Sequence, residues 1–265
     1  MALKTETELM PAFFIGHGSP MNTLESNRFT NAWSELGATL PDDVRSFLVI
    51  SAHWYLGQSA VTAMARPQTI HDFYGFPQAL FDFEYPAPGD PELAHEVAAL
   101  LSPVPVALDA EQWGIDHGAW SVLAHLAPKA NIPVVQLGID GTQPIEFHIA
   151  LGERLSSLRR HGVVIVGSGN VVHNLSLANL HRPDEGEEWA VAFDEAVAEI
   201  VMTNPAGLGA ARTLEGWNLA VPTPDHFLPL AYIAGVAHAT GKSLSRFASG
   251  PTFRALTMTS YLVAD

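Results

Sequence analysis

Phe47-Leu48-Val49-Ile50-Ser51-Ala52-His53-Trp54 is an unbroken apolar run that passes into small residues and reaches a histidine. A run of this length, with β-branched Val49 and Ile50 and no polar alternation, reads as a strand buried on both faces of a parallel sheet. The pattern returns twice, in Ala12-Phe13-Phe14-Ile15-Gly16-His17-Gly18-Ser19 and in Val163-Val164-Ile165-Val166-Gly167-Ser168-Gly169-Asn170, the latter followed by His173. In an open α/β sheet, ligands bind in the crevice beyond the carboxyl ends of the strands. Three such ends would carry His17, His53 and His173 to one rim, where a metal site is expected.

Between these strands the chain reads as helices. Ser26 or Asn27 can cap a helix holding Phe29, Trp33 and Leu36. Asp90-Pro91 pairs a capping side chain with a proline at the first helical position, opening a helix to about Leu101. Asp116-His117-Gly118 precedes a helix with Trp120, Leu123 and Leu126; Pro144 to Arg160 and Trp189 to Ile200 carry amphipathic patterns; Pro222 to Pro229 introduces a last helix toward Ala239. Further strands are expected at Ser59 to Ala65, Val104 to Leu108, Pro133 to Gly138 and within Leu244 to Val263. Alternating strands and helices without a break in composition predict one α/β domain over 1–265, with a mostly parallel or mixed central sheet flanked by helices and an N-terminal tail at 1–10. Arg66 to Gly89, rich in Pro, Gly and aromatics, is either a substrate-pocket wall or a loop packed over apolar surface.

Composition narrows the function. A chain of 265 residues can bury about three quarters of its unfolded surface. With 48% hydrophobic and 15% charged residues it is a globule rather than a disordered chain. Thirteen Lys and Arg against 28 Asp and Glu give a net charge of −15, which repels nucleic acid and acidic membranes alike, and neither partner is expected. There is no cysteine, so a metal must be held by imidazole or carboxylate. Residues 1–10 lack the pattern of a signal peptide and no apolar run approaches membrane-spanning length, which makes the cytoplasm the expected location. The glycines after Val166 lack the third position of a dinucleotide fingerprint.

Twelve histidines divide by position. His95, His148 and His161 lie in or at the end of amphipathic helices and read as surface residues; His125 and His238 fall in apolar helices and read as packing; His181 sits in a polar loop. His71 stands in the aromatic loop, at the expected pocket mouth. His17, His53, His117, His173 and His226 each follow a strand or open a helix beside Gly, Ser, Asn or Pro, the setting of a shared site. Neutral imidazoles suit iron, zinc, copper or nickel, and three of them leave coordination positions open.

Gly16-His17-Gly18-Ser19-Pro20-Met21, Ser51-Ala52-His53-Trp54, Ile70-His71-Asp72-Phe73, Asp116-His117-Gly118, Ser168-Gly169-Asn170-Val171-Val172-His173-Asn174 and Thr223-Pro224-Asp225-His226 occur in an order that resembles the class III extradiol ring-cleavage dioxygenases, in particular the DOPA 4,5-dioxygenase type. The resemblance runs from about Pro11 to the end. It implies His17, His53 and His226 as metal ligands, His173 as the acid/base and a possible fourth ligand, and His117 as a second catalytic residue that hydrogen-bonds the substrate or bound oxygen. His71, Phe73 and Asn170 are the expected substrate-binding residues. One branch of the family has a glutamate as third ligand, whereas here Asp225 and His226 stand side by side; His226 is the choice, with Asp225 as the alternative. The implied reaction is O₂-dependent opening of a catechol beside its two hydroxyls at Fe(II), giving a muconic semialdehyde. Zn(II) can replace iron during purification, because it binds such ligands more tightly. A zinc hydrolase on the same three histidines and a non-enzymatic binding protein on the same fold are the alternative readings. The physiological catechol and the oligomeric state are left open by the sequence.

Overall fold

The structure, a computed structural model, describes residues 9–263. Most of the expected tail lies outside these residues; Met10 is buried and its backbone N–H bonds the carbonyl of Arg159. The chain forms a single α/β domain around a nine-stranded mixed sheet. Across the sheet the strands run Leu244–Ala248, Ser260–Val263, Ala12–Gly16, Val163–Gly169, Ser46–Ser51, Val134–Asp140, Ser59–Thr62 and Val106–Asp109, with the short strand Tyr55–Leu56 extending the pairing along Val134–Asp140.

The four central strands, Ala12–Gly16 to Val134–Asp140, are parallel, and the strands flanking them, Ser260–Val263 and Ser59–Thr62, are antiparallel to their inner neighbours. Every residue of the central strands is buried, as unbroken apolar runs require. Successive side chains serve opposite faces. Ala12, Phe14, Leu48, Ile50, Val163 and Ile165 join one core, under the helices Leu228–Ala239, Ile145–Leu155, Pro91–Leu101 and Glu188–Thr203. Phe13, Ile15, Phe47, Val49, Val164 and Val166 join the other, under Arg28–Gly37 and His117–Leu126.

Helix starts follow local chemistry. Asn27, Asp90 and Asp116 each accept backbone N–H bonds in the first turn of the helix they precede. The helix Ile145–Leu155 gives way to a 3-10 segment, Ser156–His161, before Gly162 turns the chain. Two expectations fail along these helices. His148 is fully buried, its Nδ1 3.1 Å from the Tyr232 hydroxyl, because the helix that carries it lies between the sheet-covering helix Leu228–Ala239 and its neighbours rather than at the surface. His238 is exposed, since it falls in the last turn of Leu228–Ala239, beyond its buried body.

Strand register levels the rim. Gly16 pairs with Gly169 and Ser51 with Ser168, so three of the central strands end side by side. The chain leaves the sheet there through bonds from His17 N–H to the Gly169 carbonyl and from Ala52 N–H to the Ser168 carbonyl.

Candidate metal centre

His17 follows its strand directly and His53 lies two residues past the end of its own. His226 arrives from the opposite direction, on the turn before Leu228–Ala239. It reaches the rim because Gly169 has no side chain: a Cβ there would lie 2.1 Å from the carbonyl oxygen of His226, and the next residue's N–H, on Asn170, donates to that oxygen at 2.9 Å. His173 follows the Val163–Gly169 strand, and His117 is the first residue of its helix.

The five rings form one contiguous group. Ring centroids are 5.1 Å apart for His17 and His53, 5.3 Å for His17 and His226, and 5.1 Å for His53 and His226. His173 stacks on His226 at 3.4 Å, and His117 lies 3.8 Å from His53. One ring nitrogen from each of His17, His53 and His226 lies within 4.8 Å of the others, close enough to hold one metal ion. The Nε2 atoms of His17 and His53 are 3.2 Å apart. Two ligands on bonds of about 2.1 Å are separated by about 3.0 Å at a right angle and about 3.4 Å at the tetrahedral angle, so this spacing suits two ligands of one cation.

Outer contacts decide which nitrogen each ring presents. The Ser168 hydroxyl has one proton and donates it to the Gly118 carbonyl at 2.5 Å, so it accepts from Nδ1 of His17 at 2.9 Å and leaves Nε2 with its lone pair. His226 Nδ1 donates to the Asp225 carboxylate at 2.6 Å. Asp72 serves two rings: its oxygens lie 3.0 Å from Nδ1 of His53 and 2.9 Å from Nδ1 of His117, and it accepts the His117 backbone N–H. Fixing Nδ1–H to a carboxylate or hydroxyl is how proteins orient imidazole ligands toward a metal. Asp225 therefore stands behind His226 rather than beside it.

His53, Asp72 and His117 form a second group with metal-binding spacing. There Asp72 already faces a ring nitrogen on both histidines, so this group reads as the outer shell of the first.

Electrostatics keep the inner nitrogens of His17 and His226 available. Burial, then repulsion from neighbouring imidazoles, holds His17 and His226 well below the ordinary histidine value. Burial brings His173 down to about 4 against the pull of Asp225. His117 is lowered by burial and by His53, with Asp72 opposing. On His53 burial disfavours the charge, but the carboxylates of Asp72, Asp116 and Asp225 outweigh it and the value rises. Asp72 is held far below the carboxylate range: burial opposes its ionisation, and His117 and His53 more than offset it.

The remaining expected residues lie around this centre. Phe73 packs edge-on to His117 at 5.6 Å and against Phe76, Phe81 and Trp120. His71 turns Nε2 to the Phe83 carbonyl at 2.9 Å, its ring beside Phe73 and Trp120. Asn170 is buried, its amide bonded to the Thr257 carbonyl and its oxygen to the Gly18 N–H. A groove of about 500 Å³ reaches His53 between Trp54, Tyr55, Gln112 and Trp113, with the two indoles stacked. Sequence reasoning missed Asp72 and Ser168. Asp72 sat inside a quoted motif, where the signal was a carboxylate between His71 and Phe73; Ser168 carried no signal beyond its place in the strand.

No helix among the described residues is long and apolar enough to cross a membrane. The chain matches the family described as the catalytic LigB subunit of aromatic ring-opening dioxygenase over residues 12–256. It is 49% identical over 230 residues to the 4,5-DOPA dioxygenase extradiol of Escherichia coli K12, covering 85% of this chain and 84% of that protein. It is 36% identical to the protein of the same name from Beta vulgaris, covering 90% and 91%. A crystal structure of the uncharacterized protein JW3007 from Escherichia coli K12 superposes with a TM-score of 0.84 at 40% identity, covering 96% of this chain and all of that one. The chain thus belongs to the LigB family of aromatic ring-opening dioxygenases and is an enzyme of the extradiol ring-opening kind.

Proposed function

We propose that the chain is a non-haem Fe(II) enzyme that uses O₂ to open a DOPA-like catechol beside its hydroxyl pair, yielding a muconic semialdehyde. The observation that carries this reading is the set of three imidazoles whose Nδ1 atoms face Ser168, Asp72 and Asp225, leaving three Nε2 lone pairs for one cation. Such a donor set, neutral and without thiolate, fits Fe(II) and equally fits the Zn(II) that purification can introduce. When bound, the iron would lower the pKa of the catechol oxygens and bring diol and O₂ into one coordination sphere.

His173 is the acid/base. Its ring lies flat against His226, and burial keeps it neutral at pH 7 and able to accept a phenolic proton. A catecholate arriving beside it favours the protonated ring and raises its pKa toward the working range. His117, with Asp72 at its Nδ1, hydrogen-bonds the substrate. His71, Phe73 and Asn170 shape the substrate's surroundings, and the groove at Trp54 and Trp113 offers a route to His53. The names of the E. coli and Beta vulgaris relatives support DOPA as the first substrate to try. The cytoplasm is the compartment of this reading.

The test is anaerobic loading with Fe(II), followed by O₂ uptake and product mass with DOPA and with simpler catechols. The expected result is uptake with a product that has gained both oxygen atoms. Iron-loaded protein that consumes no O₂ with any catechol contradicts the reading.

A further inference from the structure

Beneath the loop that carries His173, a buried carboxylate takes no part in the chemistry described above. Asp194, in the helix Glu188–Thr203, is 4% exposed and forms no salt bridge among the described residues. The neighbouring charges are spent elsewhere: Glu195 of the same helix pairs with Arg246 from the strand Leu244–Ala248. Asp194 accepts instead from two threonine hydroxyls, Thr257 at 2.9 Å and Thr259 at 2.5 Å, both buried. Burying a carboxylate is costly where an apolar side chain would pack as well, so the two oxygens call for a reason.

Thr257 supplies one. Its hydroxyl proton goes to Asp194, an acceptor-only group, so its lone pair is left to accept the Val172 N–H at 3.3 Å. The Thr257 N–H donates to the Val172 carbonyl at 3.1 Å, and the Thr257 carbonyl accepts the Asn170 side-chain amide at 2.8 Å. On either side, Asn174 N–H bonds the Ala255 carbonyl, and His173 bridges Leu256 in antiparallel fashion. Residues 255–257 therefore lie as a strap along 170–174, and Thr257 is its most heavily bonded point.

We infer that Asp194 is a positioning residue for His173, acting through Thr257, whose hydroxyl it orients so that the strap holds the acid/base ring in place. The inference rests on the proposed role of His173. It differs from packing in what it demands: an acceptor at 194 and a hydroxyl at 257, not merely volume. Asparagine at 194 keeps an acceptor for Thr257 and a donor for Thr259; serine at 257 keeps the hydroxyl.

The experiment uses the iron-loaded full chain. Thr257→Val, which preserves shape, and Asp194→Leu should each lower kcat by about tenfold while leaving KM and iron content unchanged, and the pair together should lose no more than either alone. Thr257→Ser and Asp194→Asn should restore turnover. The acid limb of the kcat profile should move in the two damaging variants and return in the two conservative ones. An unchanged kcat per bound iron in Thr257→Val, losses that add in the double variant, or a loss confined to KM overturns the inference. If Asp194→Leu does not fold, Thr257→Val decides alone. Should the wild-type chain open no catechol, the functional reading fails, and amide exchange decides the strap separately. Faster exchange at 172–174 in Thr257→Val but not in Thr257→Ser supports it, and equal exchange in both overturns it.

Discussion

Each imidazole at the centre has two nitrogens, and the residues behind the rings settle which one faces inward. Ser168, Asp72 and Asp225 engage Nδ1 of His17, His53 and His226, so each should contribute to metal affinity without touching metal. Asp72→Asn should weaken Fe(II) binding by about 10- to 100-fold, measured by anaerobic titration, because the amide cannot face two imidazole N–H groups with two acceptors. His173→Phe should keep iron and lose ring opening by at least about a hundredfold, read as O₂ uptake per bound iron; undiminished uptake would remove His173 from its role. At this scale the histidines were legible, because each follows a strand end or opens a helix. Their orienting partners were not. Ser168 and Asp72 act on rings about 150 and 20 or 45 positions away in the chain, and no local spacing marks such a pairing. The adjacent pair Asp225 and His226 was ambiguous as letters; in the folded chain the carboxylate binds the back of the ring, which supports His226 as the proposed ligand.

Elements bring the rings together by register. Three of the central strands end level, and the turn bearing His226 closes on them where Gly169 leaves room. Gly169→Ala places a Cβ against the His226 carbonyl, so this turn must move. The variant should retain its secondary structure by circular dichroism and bind Fe(II) at least about tenfold more weakly, as expected for a displaced ligand. Strands and caps were readable because their determinants are local: apolar runs for the buried strands, Asn27, Asp90 and Asp116 for the helix starts. His148 and His238 were misread because burial depends on which helix covers which, and nothing local to His148 marks that Tyr232 would meet it. The crossing is close enough to need glycine on both sides: a Cβ on Gly235 would lie 2.0 Å from the Ile149 carbonyl oxygen, and one on Gly152 equally near that of Tyr232.

For the molecule as a whole, the mixed sheet and its two covered faces were evident from alternating strands and helices, whereas the antiparallel partners of Ser59–Thr62 and Ser260–Val263 were not, since strand direction leaves no local trace. Buried Asp194 links the site to global stability. Burial pushes its carboxyl up to about 6 from an ordinary 3.8, with the hydroxyls of Thr259 and Thr257 opposing; Glu195, Arg246 and Tyr261 are the other ionisable groups facing it. The folded chain therefore holds this proton more tightly than the unfolded one. The group favours folding most below about pH 4, and that advantage is lost as pH rises through about 6, a difference of roughly 3 kcal/mol. Asp194→Asn lacks this titration, so its stability relative to wild type should rise by a few kcal/mol between pH 4 and pH 7 in urea unfolding. A constant difference across that range would show that the carboxyl titrates normally.

One cation should sit among three Nε2 atoms supplied by distant parts of the chain. A crystal structure of the Fe(II)-loaded protein, grown without oxygen, tests it most directly. One iron per chain is expected, bonded at about 2.1 Å to Nε2 of His17, His53 and His226, with Asp72, Ser168 and Asp225 still engaging the opposite nitrogens. Iron found instead between His53, Asp72 and His117, or His226 turned away from it, would rule out the three-histidine centre.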